Sequence, residues 1–587
     1  MKKRGMLVCI IVVLMSIILC SSVVFAQPAG KDFIKLLAVT ESGGGHGIVA
    51  DLYLEVQPGK ERVFLETFPL TKIATQVSMR FAQQIACSEL DIDCSEKDFF
   101  YTIEAMPGIV GGPSAGAASS VLAAAVMKGY PVRKDMAITG TINSGGVIGL
   151  VGGIDSKITG ASKYNISTIL IPKGSRMFKE NGKIVDLVEI GQSVNITIIE
   201  VATLDEAFGY FTNTTVIRSN ESIVLDPKYA FTMKAVAVDL CNRNTDLADM
   251  LVSLRKEKNL PASGNERAAL EFTKKGKDTF NLSDFYSSAS FCFRSNVMLK
   301  REYFSLNDYS REEIDKAIDN ILEKINKLDS AVSNSSIDTI SDLQAFMAVK
   351  ERLMESVDGL EQAKTDSDLK SAASAVAYSE ERYYSGIAWA KFFNIDGKRF
   401  VMDQARLKAS CISKVSEAEE RYNYVKSFLN ADFSQTRKEL DGAYAEMNSQ
   451  DYIMCLFKAS KAKAEIDVIL SAVGVTQERV KEYIDLKLTT AKFALFKAYK
   501  KNVFPMIGYS YFEYANTLKD NDPYAALLFA EYALEFSSFD IYFSNPPGLS
   551  WEINKESLFA FLAGIFLGIL ILVIVFPSSR FNRKKKD

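Results

Sequence analysis

Ser114 lies in the stretch GGPSAGAASSVLAAAVMKGYPVRKD (residues 111–135), whose G-x-S-x-G spacing often frames a nucleophilic serine. Such a hydroxyl needs a base to take its proton. The chain has one histidine, His46, in the glycine-rich stretch GGGHG far upstream. An α/β-hydrolase elbow is excluded, because its acid and histidine follow the serine in chain order and no histidine follows Ser114. A triad through His46 stays open on chain order, although a single histidine in such a loop is more often a polar turn residue. The third base is a lysine. An ammonium is useless near pH 7 unless burial lowers its pKa, so a lysine base must sit on an apolar, tightly packed segment. In GVIGLVGGIDSKITGASKYN, Lys157 follows an apolar strand and a Gly-Gly turn at the start of a small-residue helix. Lys163 points elsewhere, and Lys134 sits beside Arg133 and Asp135 on a turn that reads as solvated.

The elements that must position these groups follow from the hydrophobic period. KLLAVT, GIVADLYLEVQPG, ERVFLET and DFFYTIEAM alternate as strands. TKIATQVSMRFAQQIACSEL has helical spacing, and SAGAASSVLAAAVMKGY reads as a small-residue helix. MAITGTIN and GVIGLVGG are strands, IDSKITGASKYN a short helix and ISTILIPKG a strand ending in a turn. NITIIEVATLDEAFGYF closes with a strand and a helix. The pattern predicts an α+β or α/β domain over about residues 33–211. From about 227 to 540 the period turns helical. SREEIDKAIDNILEKINKL carries a capping box at Ser310 and Glu313, and Pro523 opens a helix after Asp520–Asp522. These helical hairpins predict a bundle or a loose repeat array.

Taken together, GGPSAG, PVRKDMAITG, GGIDSK and ISTILIPKG, in that order and with 43 residues from Ser114 to Lys157, closely resemble the proteolytic domain of Lon proteases. The resemblance covers roughly residues 33–211, with the earliest portion only loosely similar. It implies a Ser–Lys dyad, with Ser114 as nucleophile and Lys157 as general base. It also implies that the Thr139 hydroxyl helps to position the lysine. Ala115 belongs to the supporting backbone around the serine. Gly112 and Gly116 leave room for a substrate backbone near the hydroxyl. Ser114 opens a helix, so N–H groups and the helix dipole there suit an acyl-transfer oxyanion. Two positions depart from the family pattern. Gly111 stands where many Lon sites carry an acidic residue, and the common TGE reads Thr139, Gly140, Thr141. Lon enzymes join this domain to an ATPase, but no G-x-x-x-x-G-K-[ST] occurs here, so no cofactor and no ATP site is expected.

Length and composition bound the rest. The chain has 587 residues, 48% of them hydrophobic, and a net charge of −3 without a basic stripe, which gives no support to a nucleic-acid partner. Residues 1–26 read as a signal peptide or signal anchor. Residues 558–576, uncharged and mostly apolar, read as a transmembrane helix of roughly 28 Å, followed by a basic cytoplasmic tail at 577–587. The expected organisation is thus a Lon-like proteolytic domain (33–215), an α-helical domain (225–545) and this anchor. The expected fold class is an α+β Lon-type domain followed by an all-α domain and a C-terminal transmembrane helix. Lipid bilayer and polypeptide substrates are the expected partners, with a homo-oligomer by analogy to Lon rings. The expected placement is a single-pass cell-membrane protein with the catalytic domain outside, or two-pass if the leader is retained. Six cysteines beyond the leader suggest Cys87–Cys94, Cys241–Cys292 and Cys411–Cys455 by nearest-neighbour pairing, one of fifteen connectivities. No metal site is expected, since no C-x-x-C occurs. The six N-x-[ST] sequons, at Asn165, Asn195, Asn213, Asn220, Asn281 and Asn334, permit glycosylation. The resulting function is an ATP-independent, membrane-anchored serine endopeptidase. Its alternative is a catalytically inactive Lon-like scaffold.

Overall fold

The computed structural model describes residues 30–40, 45–68, 72–105, 112–180, 183–214, 226–429, 431–472, 480–543 and Gly564. The chain separates into two units, residues 1–544 and 545–587, and of the second only Gly564 is described. Eleven strands and five helices come first. They are β1 (Gly30–Val39), β2 (Gly47–Pro58), β3 (Val63–Phe68), α1 (Ile73–Glu89), β4 (Lys97–Ala105), α2 (Gly116–Lys128), β5 (Met136–Ile138), β6 (Thr141–Ile142), β7 (Ile148–Gly149), α3 (Ile154–Ala161), β8 (Thr168–Pro172), β9 (Met177–Glu180), β10 (Lys183–Asp186), α4 (Leu187–Ser193), β11 (Thr197–Val201) and α5 (Leu204–Thr212).

Seven of the strands form one mixed sheet, in the order β11-β8-β5-β1-β2-β4-β3. The β11-β8-β5-β1 half is parallel, while β2 is antiparallel to both β1 and β4. Successive residues of a strand face opposite sides, and this chain buries both. Leu36, Ile138 and Leu170 pack with α1, α2 and α5 on one face. Leu37, Ala137, Ile169 and Ile171 pack with α3 and α4 on the other. Two-sided burial is why β5, and β8 from Ile169 on, are apolar throughout, whereas β2 and β3 alternate. Helix α2 is buried from Gly116 to Val126, which is why it is built of Gly, Ala and Ser. Two features escaped the sequence reading: the β9–β10 hairpin and the short helix α4.

Twelve further α-helices follow among the described residues: α6 (Pro227–Lys258), α7 (Gly264–Asn281), α8 (Phe285–Ser305), α9 (Arg311–Ser333), α10 (Ile340–Thr365), α11 (Leu369–Trp389), α12 (Gln404–Phe428), α13 (Ser434–Asn448), α14 (Tyr452–Ala472), α15 (Val480–Lys500), α16 (Met506–Leu518) and α17 (Pro523–Ser537). The capping box at Ser310 and Glu313 starts α9, and Pro523 opens α17, as the sequence predicts. Disulfides join Cys87 to Cys94, Cys241 to Cys292 and Cys411 to Cys455.

The expected C-terminal transmembrane helix, and with it the membrane placement, is corrected here. Among the described residues no helix is long and apolar enough to cross a membrane. The long helices carry charged residues throughout; α6, the longest at 32 residues, ends in Arg255, Lys256 and Lys258. The segments 1–26, 558–576 and 577–587 lie outside the described residues.

The helical region packs directly on the α/β region, and its main grip is on the chain between β6 and α3. Arg421 of α12 donates through Nη2 to the Ile142 carbonyl at 2.8 Å and to Asn143 Oδ1 at 2.9 Å. Arg421 is itself held by Asp467 at 3.6 Å and Glu420 at 3.7 Å. One turn along α12, Tyr424 Oη accepts from the Gly152 N–H at 2.9 Å. Gly145 sits so close to α15 and α17 that a Cβ there would lie 2.9 Å from Leu534 Cδ2 and 3.3 Å from Thr490 Cγ2. Lys497 of α15 adds an ion pair to Glu89 at the end of α1, at 3.0 Å. Removing one partner from a buried charged network of this kind costs about 3–5 kcal/mol. Arg421→Met is therefore expected to destabilise the protein by that order. It should also speed amide hydrogen exchange across residues 141–152 by about a hundredfold or more, because the local hold is lost. Exchange there at the wild-type rate would contradict the assigned grip.

Candidate active site

Ser114 lies in a single 3-10 turn, Pro113–Ala115, that runs straight into α2. The turn begins where it does because Pro113 fixes the first helical φ and Gly112 before it takes φ 108°, a value closed to most residues with a Cβ. The space beside Gly112 is open. Gly116 differs: a Cβ there would meet the Ile142 amide nitrogen at 3.0 Å, so the room is filled by the chain's own β6. Ser114 and Ala115 are both half-buried.

The serine turn is tied to the end of β5. The Gly140 N–H donates to the Ser114 carbonyl at 3.1 Å, and the Ala117 N–H donates to the Gly140 carbonyl at 3.1 Å. Thr139, next in the chain, donates its N–H to the Leu170 carbonyl of β8 at 3.1 Å. Its side chain is fully buried. Thr141 is buried as well, and Gly111 lies outside the described residues.

Lys157 comes to the same place from α3. Ile154, Lys157, Ile158 and Ala161 form one stripe at helical spacing, and all four are buried. The helix is sunk onto β2 by two glycines that meet backbone to backbone. A Cβ on Gly47 would lie 1.9 Å from the Ser156 carbonyl oxygen, and one on Gly160 would lie 2.2 Å from the Gly47 carbonyl oxygen. Lysine on that stripe is therefore carried inward with its apolar neighbours. Its Nζ donates to Thr139 Oγ1 at 3.0 Å.

The electrostatics of this amine set it apart. Among the described residues five lysines are buried: Lys157, Lys300, Lys414, Lys463 and Lys487. Four face carboxylates: Lys300 with Glu380 at 2.9 Å, Lys414 with Glu417 at 2.8 Å, Lys463 with Asp467 at 3.0 Å, and Lys487 with Glu531. Lys157 has a hydroxyl instead. Burial pulls its pKa from the ordinary 10.5 down to about 8, with the charge of Asp155 opposing. Lys414 and Lys487, burdened by the same desolvation, are raised by their carboxylates.

The other sequence candidates are elsewhere or otherwise engaged. His46 is exposed, and its carbonyl accepts from the Thr40 N–H at 3.0 Å. Lys163 is exposed. Lys134 pairs with Asp32 and lies over the Phe33 ring, 3.9 Å from its centroid, so its turn is less open than the sequence suggests. Arg421, Asn143 and Tyr424, which hold the segment between Thr139 and Lys157, were not foreseen. Arg421 and Asn143 are 278 residues apart, and an arginine on a charged helix gives no local sign of such a role.

Comparison with known proteins follows the same ground. Residues 37–210 match the Lon protease (S16) C-terminal proteolytic domain. The Lon protease of Brucella suis biovar 1 (strain 1330) is 36% identical over 209 residues, 34% of this chain and 24% of that protein. The Lon protease of Haemophilus influenzae (strain ATCC 51907 / DSM 11121 / KW20 / Rd) is 41% identical over 101 residues, 17% of this chain and 12% of that protein. The archaeal Lon protease of Methanocaldococcus jannaschii is 29% identical over 116 residues, 20% of this chain and 16% of that protein. The chain thus covers less than a quarter of the length of these relatives, the largest share being 24%. The serine turn, the buried lysine and all of the sheet but the first residues of β1 fall within residues 37–210, the part that is similar to the Lon protease proteolytic domain.

Proposed function

We propose that the chain is a serine peptidase in which Ser114 is the nucleophile and Lys157 the general base. The observation that carries the reading is a buried lysine with a hydroxyl partner and no carboxylate partner among the described residues, held close to the β5 end to which the serine turn is tied. A neutral amine has one lone pair. Donating an N–H to Thr139 Oγ1 fixes its rotation and leaves that pair for the Ser114 proton. As the proton moves to Nζ, Oγ attacks the scissile carbonyl carbon. The oxyanion that forms faces N–H groups at the start of the helix, where the dipole favours negative charge. Collapse passes the proton from Nζ to the leaving amine and leaves an acyl-enzyme. Water, deprotonated by the same amine, then frees the acid.

Lon proteases are the relatives, so polypeptides are the proposed substrates. Hydrolysis is proposed to proceed without ATP, as the chain contains no Walker-type phosphate loop. Purified full-length protein is expected to cleave casein or a fluorogenic peptide at a rate that added ATP leaves unchanged. Ser114→Ala should lower kcat by about 10³-fold or more, the scale seen when a nucleophile is removed. Undiminished hydrolysis by that variant would overturn the assignment and leave the inactive-scaffold reading.

The lysine makes two pH-linked predictions. The active form is the unprotonated amine, so kcat/KM should rise with pH through an inflection near the Lys157 value of about 8. For stability the folded pKa lies below the unfolded one, so the folded state resists protonation. The penalty is full below about 8 and fades as pH climbs through 10.5. Lys157→Met is therefore expected to abolish activity while raising stability at pH 7, by an amount on the order of 2–3 kcal/mol. Thermal melts of the two proteins from pH 7 to pH 10.5 check it: the gap should narrow as pH rises. A constant gap would contradict the proposed burial of an uncharged amine.

A further inference from the structure

A second site lies within the helical region, between α6, α8, α10 and α11, with α16 and α17 completing it. It is a cavity of about 510 Å³ lined by Arg294, Arg301, Arg352 and Arg382 and, among the described residues, by no carboxylate. Aromatic and aliphatic side chains make up most of the remaining wall, with Trp389 and Tyr286 buried at 4% and 7% exposure. Arg352 is 9% exposed, with its guanidinium carbon 4.5 Å from the Trp389 ring centroid. Its Nε donates to Ser385 Oγ at 3.1 Å and its Nη1 to the Ala348 carbonyl at 2.6 Å. Nη1 also lies 3.6 Å from the Glu351 carboxylate, which is not part of the cavity wall. Arg382 pairs through Nη2 with Glu355, while its Nε is buried with no hydrogen-bond partner among the described residues. Burial, and then the like charge of Arg382, depress the Arg352 guanidinium from its ordinary value. Arg294 and Arg301 are exposed where they line the cavity.

These features point to an anion of a particular shape. Two guanidinium groups share this wall, with the Arg382 Nε–H left over, and a planar carboxylate can accept from both at once. The aromatic wall suits an apolar body attached to that carboxylate. The neighbouring recess, about 390 Å³, shares Arg301 and Tyr378 with the cavity and continues past Ser371 and Ser374. It gives a polar exit for a polypeptide backbone. We propose that the cavity binds the C-terminal residue of a polypeptide, its carboxylate on Arg352 and Arg382 and an apolar side chain against Trp389 and Tyr286. The choice of a polypeptide over a free organic acid rests on the peptidase reading; the affinity for a carboxylate does not.

The test uses the full-length protein carrying Ser114→Ala and a fluorescein-labelled peptide ending in phenylalanine, followed by anisotropy. The free-acid peptide is expected to bind. Its C-terminal amide should bind weaker by about tenfold or more, because one charge-assisted pair is lost. This comparison leaves the protein unaltered, so it does not depend on any variant folding. Arg301→Ala, at an exposed position, should weaken the acid by about threefold, and Arg382→Gln should bring acid and amide together. Equal binding of acid and amide by the parent protein, or no binding, would overturn the proposal, as would displacement by AMP or inorganic phosphate. N-acetylphenylalanine competing as well as the peptide would place the ligand among free acids and overturn the polypeptide assignment. Residual hydrolysis by Ser114→Ala would count against the active-site reading alone, since the acid-to-amide ratio still decides the cavity.

Discussion

A lysine buried without a carboxylate is unstable as a cation, and the site described here is organised around that fact. Desolvation of an ammonium costs several kcal/mol unless an opposite charge repays it. Four of the five lysines buried among the described residues have such a charge beside them. Lys157 does not; burial lowers its amine toward neutrality, and among the described residues its hydrogen-bond partner is the Thr139 hydroxyl. A group the fold destabilises in its charged form is a group prepared to accept a proton from something else. The geometry that enforces this is backbone contact: Gly47 and Gly160 bring α3 onto β2 with no side chain between them.

The helical region belongs to the same arrangement. It holds the segment that connects Thr139 to Lys157, through Arg421, Tyr424 and the close packing at Gly145. Behind Arg421 stands a network of buried ion pairs in which Lys414, Lys463, Lys487 and Arg421 face Glu417, Asp467, Glu531 and Glu535. Glu420 is the odd carboxyl. Burial pushes it up to about 7 despite Arg421 beside it, so near neutrality it carries its proton part of the time and the remaining charges balance. Such networks add little net stability against apolar packing but penalise the wrong arrangement heavily, which suits a surface that must seat one loop in one register.

Much of the site was legible in sequence because its determinants are local. The G-x-S-x-G spacing, the proline opening the turn and the stripe Ile154, Lys157, Ile158, Ala161 can each be read within a few residues. The strands of the sheet were readable for the same reason, as period-two or unbroken apolar runs. The β9–β10 hairpin could have been found, since Asn181-Gly182 between the two strands is a hairpin signal. What local pattern could not supply is the fate of charges on the helices. Lys414 with Glu417, or Lys463 with Asp467, has the spacing of a solvated surface pair, yet all four are buried at 4% exposure or less. Gly116 shows the converse: it read as space for a substrate and is space for Ile142.

The most direct measurement is the titration of the Lys157 amine itself. Lysine-selective ¹³Cε and ¹⁵N labelling of the full-length protein, with the Lys157 signal identified by its loss in Lys157→Met, would follow that amine by NMR as pH is raised. The account predicts an inflection at about 8. A Lys157 amine that stays protonated until the ordinary lysine value of 10.5 would contradict it.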